Sequence, residues 1–152
     1  MAPAQASLLA KLDTQERVRD FLTNAVASGR ASHAYLFLGA PGAGKLDAAW
    51  ALAQAFLCEQ DGCGACDSCV RVARHTHPDV HYYTPESATG YLIAQTRELL
   101  DDVPLAPIRA KAKVYIIDRA EQLRANTANA LLKTLEEPPE ALCSSCWAPR
   151  QT

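Results

Sequence analysis

Apolar residues recur along this chain with a helical period in some stretches and as short continuous runs in others. Asp13 can cap a helix with Glu16 three residues on, after which Val18, Phe21, Leu22, Ala25 and Val26 fall on one face. The loop SGRASHA gives way to AYLFLG, a brief apolar run ending in glycine that suits a buried parallel strand. KLDAAWALAQAFLC, made of good helix formers, predicts a second helix. A cysteine-rich stretch, CEQDGCGACDSC, interrupts the pattern, and VRVARH predicts a short helix behind it. HPDVHYYTP reads as a second strand and YLIAQTRELLDDV as a helix, with Leu92, Ile93, Leu99, Leu100 and Val103 near one face. KAKVYIID is the third strand, and NTANALLKTLEEPP is a helix stopped by Pro138 and Pro139. This alternation of strand and helix predicts an α/β fold, a parallel sheet covered by helices.

Bulk properties narrow the class. A chain of 152 residues suits one domain with a real core, and 49% hydrophobic with 21% charged residues is a globular composition. We divide it into a lead-in (1–12), a domain (13–140) and an atypical tail (141–152). The net charge of −2 argues against a dedicated nucleic-acid or membrane surface. No apolar run approaches the roughly 20 residues of a membrane span. The N-terminus lacks a basic segment followed by a continuous apolar one, so a cytoplasmic location is expected. Six cysteines in that setting should be metal ligands or free thiols rather than a disulfide framework.

The run GAPGAGKL, residues 39–46, follows the first strand and matches the phosphate-binding pattern G-x-x-x-x-G-K-[ST] until its last letter. Gly39 and Gly44 occupy the pattern's glycine positions. Gly42 and Gly44 permit close backbone approach to phosphate, and Lys45 would open a helix whose N-terminus favours anions. Leu46 stands where a hydroxyl should hold Mg²⁺, and leucine cannot coordinate a metal. The third strand ends in Asp118, positioned to bind Mg²⁺ through water. The neighbouring place, where an ATPase of this kind carries a glutamate to polarise water, is taken by Arg119, which is no base at neutral pH. Both departures remove hydrolysis chemistry and leave the scaffold, the pattern of a pseudo-ATPase. ATP–Mg²⁺ is not expected to be held in the normal way.

Cys58, Cys63, Cys66 and Cys69 form C-x₄-C-x₂-C-x₂-C, with Gly62 and Gly64 allowing tight turns between them. Two-residue gaps let successive thiolates converge on one ion. Four thiolates around Zn²⁺ make a closed tetrahedral shell, structural rather than catalytic because no position is left for water. His75 and His77 are read as loop histidines. The second C-x-x-C, Cys143 and Cys146, lacks the strand before and helix after it that a redox motif needs.

HAYLFLGAPGAGK, the four-cysteine insert, THPDV, TRELLDDVPLAPIRAKAKVYIIDRAEQL and NALLKTLEEPP together resemble the bacterial DNA polymerase III clamp loader, from about residue 14 to 140. The resemblance implies an AAA+ fold, a P-loop NTPase-like parallel sheet with helices on both faces, here truncated before the helical lid and collar. Within the family, the degenerate loop and Arg119 resemble the delta-prime branch rather than the ATP-hydrolysing gamma/tau branch. That implies a rigid partner of gamma/tau and delta subunits, acting on the sliding clamp and primed DNA through the assembled complex. The family continues after LEEPPE with an apolar strand and a trans-acting arginine. ALCSSCWAPRQT matches neither, so no residue here carries that arginine role. In the implied sheet, two later strands flank AYLFL, so a gap with unpaired backbone groups is expected beside it, filled in part at best by ALCSSCWA. The competing readings are an active gamma/tau-type ATPase, opposed by Leu46 and Arg119, and a small zinc-bearing nucleic-acid binder, opposed by the acidic balance.

Overall fold

A computed structural model describes residues 7–137 and the backbone of residues 142–148. The elements in chain order are α1 (Glu16–Ala27), β1 (Ala34–Leu36), α2 (Lys45–Leu57), α3 (Asp67–Ala73), β2 (Val80–Tyr83), α4 (Ile93–Asp102), β3 (Lys113–Asp118), α5 (Ala125–Glu136) and β4 (Leu142–Ala148). The strands form one parallel sheet in the order β1-β4-β3-β2.

Strand β3 shows why helices are needed on both faces. Val114 and Ile116 enter one core with Leu22 of α1, the alanine-rich α2 and Val72 of α3, while Tyr115 and Ile117 enter another with Leu99 of α4 and Leu131 of α5. Successive side chains of a strand point to opposite faces, so a strand that is apolar throughout must be covered twice. The sequence-predicted α/β architecture is the one observed.

Several local expectations are corrected. Asp13 does not cap α1, because the helix begins two residues later behind Gln15, which makes no side-chain capping bond. The lead-in is partly docked: Leu9 and Leu12 are buried in the first core, around a short 3₁₀ turn at Leu9–Lys11. On α4 the apolar face is narrower than the spacing suggests. Leu99 and Val103 are buried, whereas Leu92 and Ile93 are exposed at its start. Strand β1 is an edge strand rather than a buried one, paired to β4 alone among the described strands and exposing Leu36, with Leu38 exposed just beyond it.

The tail brings the largest correction. Leu142–Ala148 forms β4, paired in parallel with both neighbours, Tyr35 against Cys146 on one side and Ile116 against Cys146 on the other. Its register shifts between Lys113 and Tyr115, so β4 takes an extra residue there. Ladder bonds come from the main chain, and Ser144 and Ser145 supply the same N–H and C=O groups as any apolar residue. The expected gap is therefore occupied. Helix α5 ends at Glu136; Pro138 and Pro139, read as its stop, lie outside the described residues.

Candidate metal centre and phosphate-loop cleft

Helix α2 ends at Leu57, and the chain turns through residues 58–66 into α3. That turn gathers the four cysteines. Their sulfurs all lie within 4.8 Å of one another, with Cys58 to Cys66 at 3.8 Å and Cys63 to Cys69 at 3.9 Å. A tetrahedron of thiolates with metal–sulfur bonds of about 2.3 Å has edges of about 3.8 Å. The donor set and its spacing fit a four-coordinate thiolate-bound ion such as Zn²⁺.

Backbone amides support the sulfurs. Gln60 and Cys63 donate N–H to Cys58 Sγ (3.3 and 3.4 Å), Cys66 to Cys63 Sγ (3.4 Å) and Cys69 to Cys66 Sγ (3.4 Å). The last of these also caps α3. Amide bonds from Ala65 and Cys66 pull the Cys63 thiol down to about 6, while burial pushes Cys66 and Cys69 up. A cation beside Cys69 would favour its thiolate form. The two nearby histidines are engaged elsewhere: His75 stacks on Trp50, and His77 Nδ1 accepts the Asp79 N–H (3.1 Å).

The glycine loop lies between β1 and α2, at the carboxyl edge of the sheet where open parallel sheets bind ligands. Gly42 and Gly44 both have φ near +78°, at 78° and 77°, a left-handed conformation that side chains resist. Lys45 turns its ammonium onto the loop itself, donating to the carbonyls of Gly39 and Ala40 (3.2 Å to the latter). Leu46 packs against the first core. A cleft of about 270 Å³ opens beside it, lined by Leu12, Thr14, Gly44, Leu46, Trp50 and His75.

Asp118 ends β3, one strand away from β1 across β4. The Arg119 Nε lies 3.9 Å from Asp118 Oδ2, and the Tyr82 hydroxyl donates to the same oxygen at 3.5 Å. Arg119 adopts a left-handed conformation (φ 51°), which turns the chain sharply after the strand. Cys143 and Cys146 both lie inside strand β4, not at a strand-to-helix turn.

Three polar devices, buried or half-buried, escaped the sequence analysis. Asp79, wholly buried, accepts amide bonds from Ile108, Arg109 and Ala110. Gln54, also buried, bridges Leu8 and Cys69. Asp102 takes bonds from Lys113 Nζ (2.9 Å) and the Tyr115 hydroxyl (2.6 Å), with His81 Nε2 at 3.5 Å. The signal available in sequence was a polar residue inside an apolar run, as with Gln54 in α2 and Lys113 before VYII. Such residues must find partners when buried, though spacing does not say which.

The family described as DNA polymerase III, delta subunit, matches residues 14–145. The delta' subunit of DNA polymerase III from Bacillus subtilis is 42% identical over 129 residues, 83% of this chain and 39% of that protein. The tau subunit from Escherichia coli is 43% identical over 130 residues, 83% of this chain and 20% of that protein. A crystal structure of a gamma subunit-related protein of DNA polymerase III from Thermotoga maritima shares the fold at a TM-score of 0.54 and 19% identity, covering 86% of this chain and 38% of that one. This chain thus spans less than half the length of each. With the family matching nearly all of the described residues, on a parallel sheet carrying the glycine loop and the four-cysteine cluster, the chain belongs to the clamp-loader family of DNA polymerase III subunits.

Proposed function

We propose that the chain acts as a non-hydrolysing, delta-prime-type subunit of the bacterial clamp loader, supporting placement of the sliding clamp on primed DNA. The observation that carries this reading is the fate of the two catalytic positions. Leu46 is packed against the core where a metal-binding hydroxyl would stand, and Arg119 sets a cation beside Asp118 where a base would stand. Metal and water positioning act mainly in the transition state of phosphoryl transfer, so their loss removes turnover even where phosphate affinity remains. Gly39, Gly42, Gly44, Lys45 and Asp118 are then a degenerate nucleotide site kept by the fold. The partners are gamma/tau and delta subunits in the cytoplasm, met through protein–protein contact.

Zn²⁺ held by Cys58, Cys63, Cys66 and Cys69 would cross-link the end of α2 to the start of α3 and add its binding free energy to folding. The alternative, an active gamma/tau-type ATPase, draws on the tau relative, which is as similar as the delta' one. Steady-state turnover decides between them. The expected result is no Mg²⁺-dependent ATP hydrolysis above a Lys45→Ala control, and a rate that this substitution abolishes would establish the alternative.

A further inference from the structure

Helix α3 is bracketed by two residues one turn apart on α2. At its first turn the buried Gln54 side chain donates Nε2 to the carbonyl of Cys69 (3.1 Å), a predicted metal ligand. Just past its last turn the His75 ring lies on Trp50, with centroids 3.9 Å apart and planes 11° apart. His75 holds a left-handed backbone (φ 57°), and its N–H donates to Val72 O (3.0 Å). Positions 50 and 54 share one face of α2, so α3 runs antiparallel along it. The other end of the Gln54 amide matters as much: Oε1 accepts the N–H of Leu8 (2.8 Å). Leu8, Trp50 and His75 all line the cleft beside Gly44 and Leu46.

We infer that the metal centre sets the shape of the phosphate-loop cleft, with Gln54 and the His75–Trp50 stack as the positioning residues that connect them. The inference rests on the proposed metal site and not on retained nucleotide affinity. A helix of seven residues has no stability of its own, since nucleation is costly and few bonds repay it. Its first turn carries Cys66 as cap and Cys69 as a wholly buried residue, so a bound ion fixes that turn directly. Removing the ion releases the helix, and with it His75 from one wall of the cleft. The Gln54 amide, losing Cys69 O, then loses the contact that fixes its grip on Leu8, which lines the same cleft. By linkage, whatever tightens the cleft also tightens the metal.

The experiment uses the full chain, loaded with Zn²⁺ or stripped by a chelator, with metal content measured alongside. Amide exchange is followed by mass spectrometry and Trp50 by fluorescence. Stripping should raise exchange about tenfold or more at residues 8–12 and 72–75 while Val114–Ile117 stay protected. It should also change tryptophan emission in the parent and far less in His75→Ala, which keeps both tryptophans. His75 is exposed, and unchanged protection of Val114–Ile117 in the zinc-loaded variant checks that it is folded. Gln54→Met should raise exchange at Leu8 with metal still bound. Three results overturn the inference: exchange changes confined to residues 58–69, an emission response in His75→Ala equal to the parent's, or loss of protection in Val114–Ile117, which would make zinc a support of the whole fold. A chain containing no zinc overturns the metal reading along with it, and the metal analysis tells that failure from the others.

Discussion

The carboxylate of Asp79 accepts the backbone N–H of Arg109 at 2.7 Å, thirty residues further along the chain. With Ile108 and Ala110 donating to the same group, one buried side chain anchors the loop between α4 and β3. Burial alone would push the Asp79 carboxyl up, but the three amide bonds outweigh it and hold it below the usual carboxylate range. Asp79→Ala strands three amide donors and should cost about 3 kcal/mol or more. Urea denaturation should show a lower midpoint at unchanged slope. A midpoint equal to the parent's would mean that the loop is held by other contacts.

His81 sets a pH dependence of its own. Burial pushes its imidazole below the ordinary value of 6.5, despite attraction from Asp102, Asp79 and Glu98, and Lys113 adds to the lowering. A histidine depressed in the folded state takes up its proton more readily when unfolded. Stability is therefore full above about pH 7 and falls as pH drops through the unfolded value toward the folded one. His81→Phe keeps a ring against Tyr115, which lies 5.0 Å away between centroids. The variant should flatten the pH–stability curve between about pH 7 and pH 5. An unchanged slope would assign that dependence to other groups.

Gly90 faces the turn that follows Arg119. A Cβ built there would lie 2.8 Å from the Gln122 carbonyl oxygen, and the residue's φ of +121° is itself hostile to side chains. Gly90→Ala should destabilise by about 2–3 kcal/mol, through strain and displacement of the Gln122 turn. The check is a thermal melt, and a shift of under a degree or so would show that the turn yields freely.

For the cysteine cluster, we expect one Zn²⁺ per chain in freshly reduced protein. Cys63→Ser should lower metal content and make the melt insensitive to chelator, since the bound ion contributes directly to folding. A parent chain that purifies without zinc and melts identically in chelator would contradict this.

Leu46 and Arg119 can be tested as a pair. Leu46→Thr restores a hydroxyl at the cost of a core contact worth about 1 kcal/mol, and Arg119→Glu restores a carboxylate beside Asp118. The double variant should gain Mg²⁺-dependent nucleotide affinity, measurable by calorimetry, that the parent lacks. Equal Mg²⁺ dependence in the parent would show that these two positions are not the defect.

The sequence alone determined what depends on near neighbours: the alternation of strands and helices, the convergence of four cysteines within twelve residues, and a leucine at the hydroxyl position of the glycine-loop pattern. These are legible because helix and strand periods, turns and ligand spacings are local properties of the chain. Tertiary structure decided the rest. That β1 is an edge among the described strands, that a serine-containing segment pairs between β1 and β3, and that Leu46 serves the core all follow from which strands and helices meet. Asp79 looked like one residue of a short motif, yet its partners lie 29 to 31 positions away. A buried carboxylate or amide must be satisfied, but any of many backbone groups can satisfy it, and only the packed fold selects which.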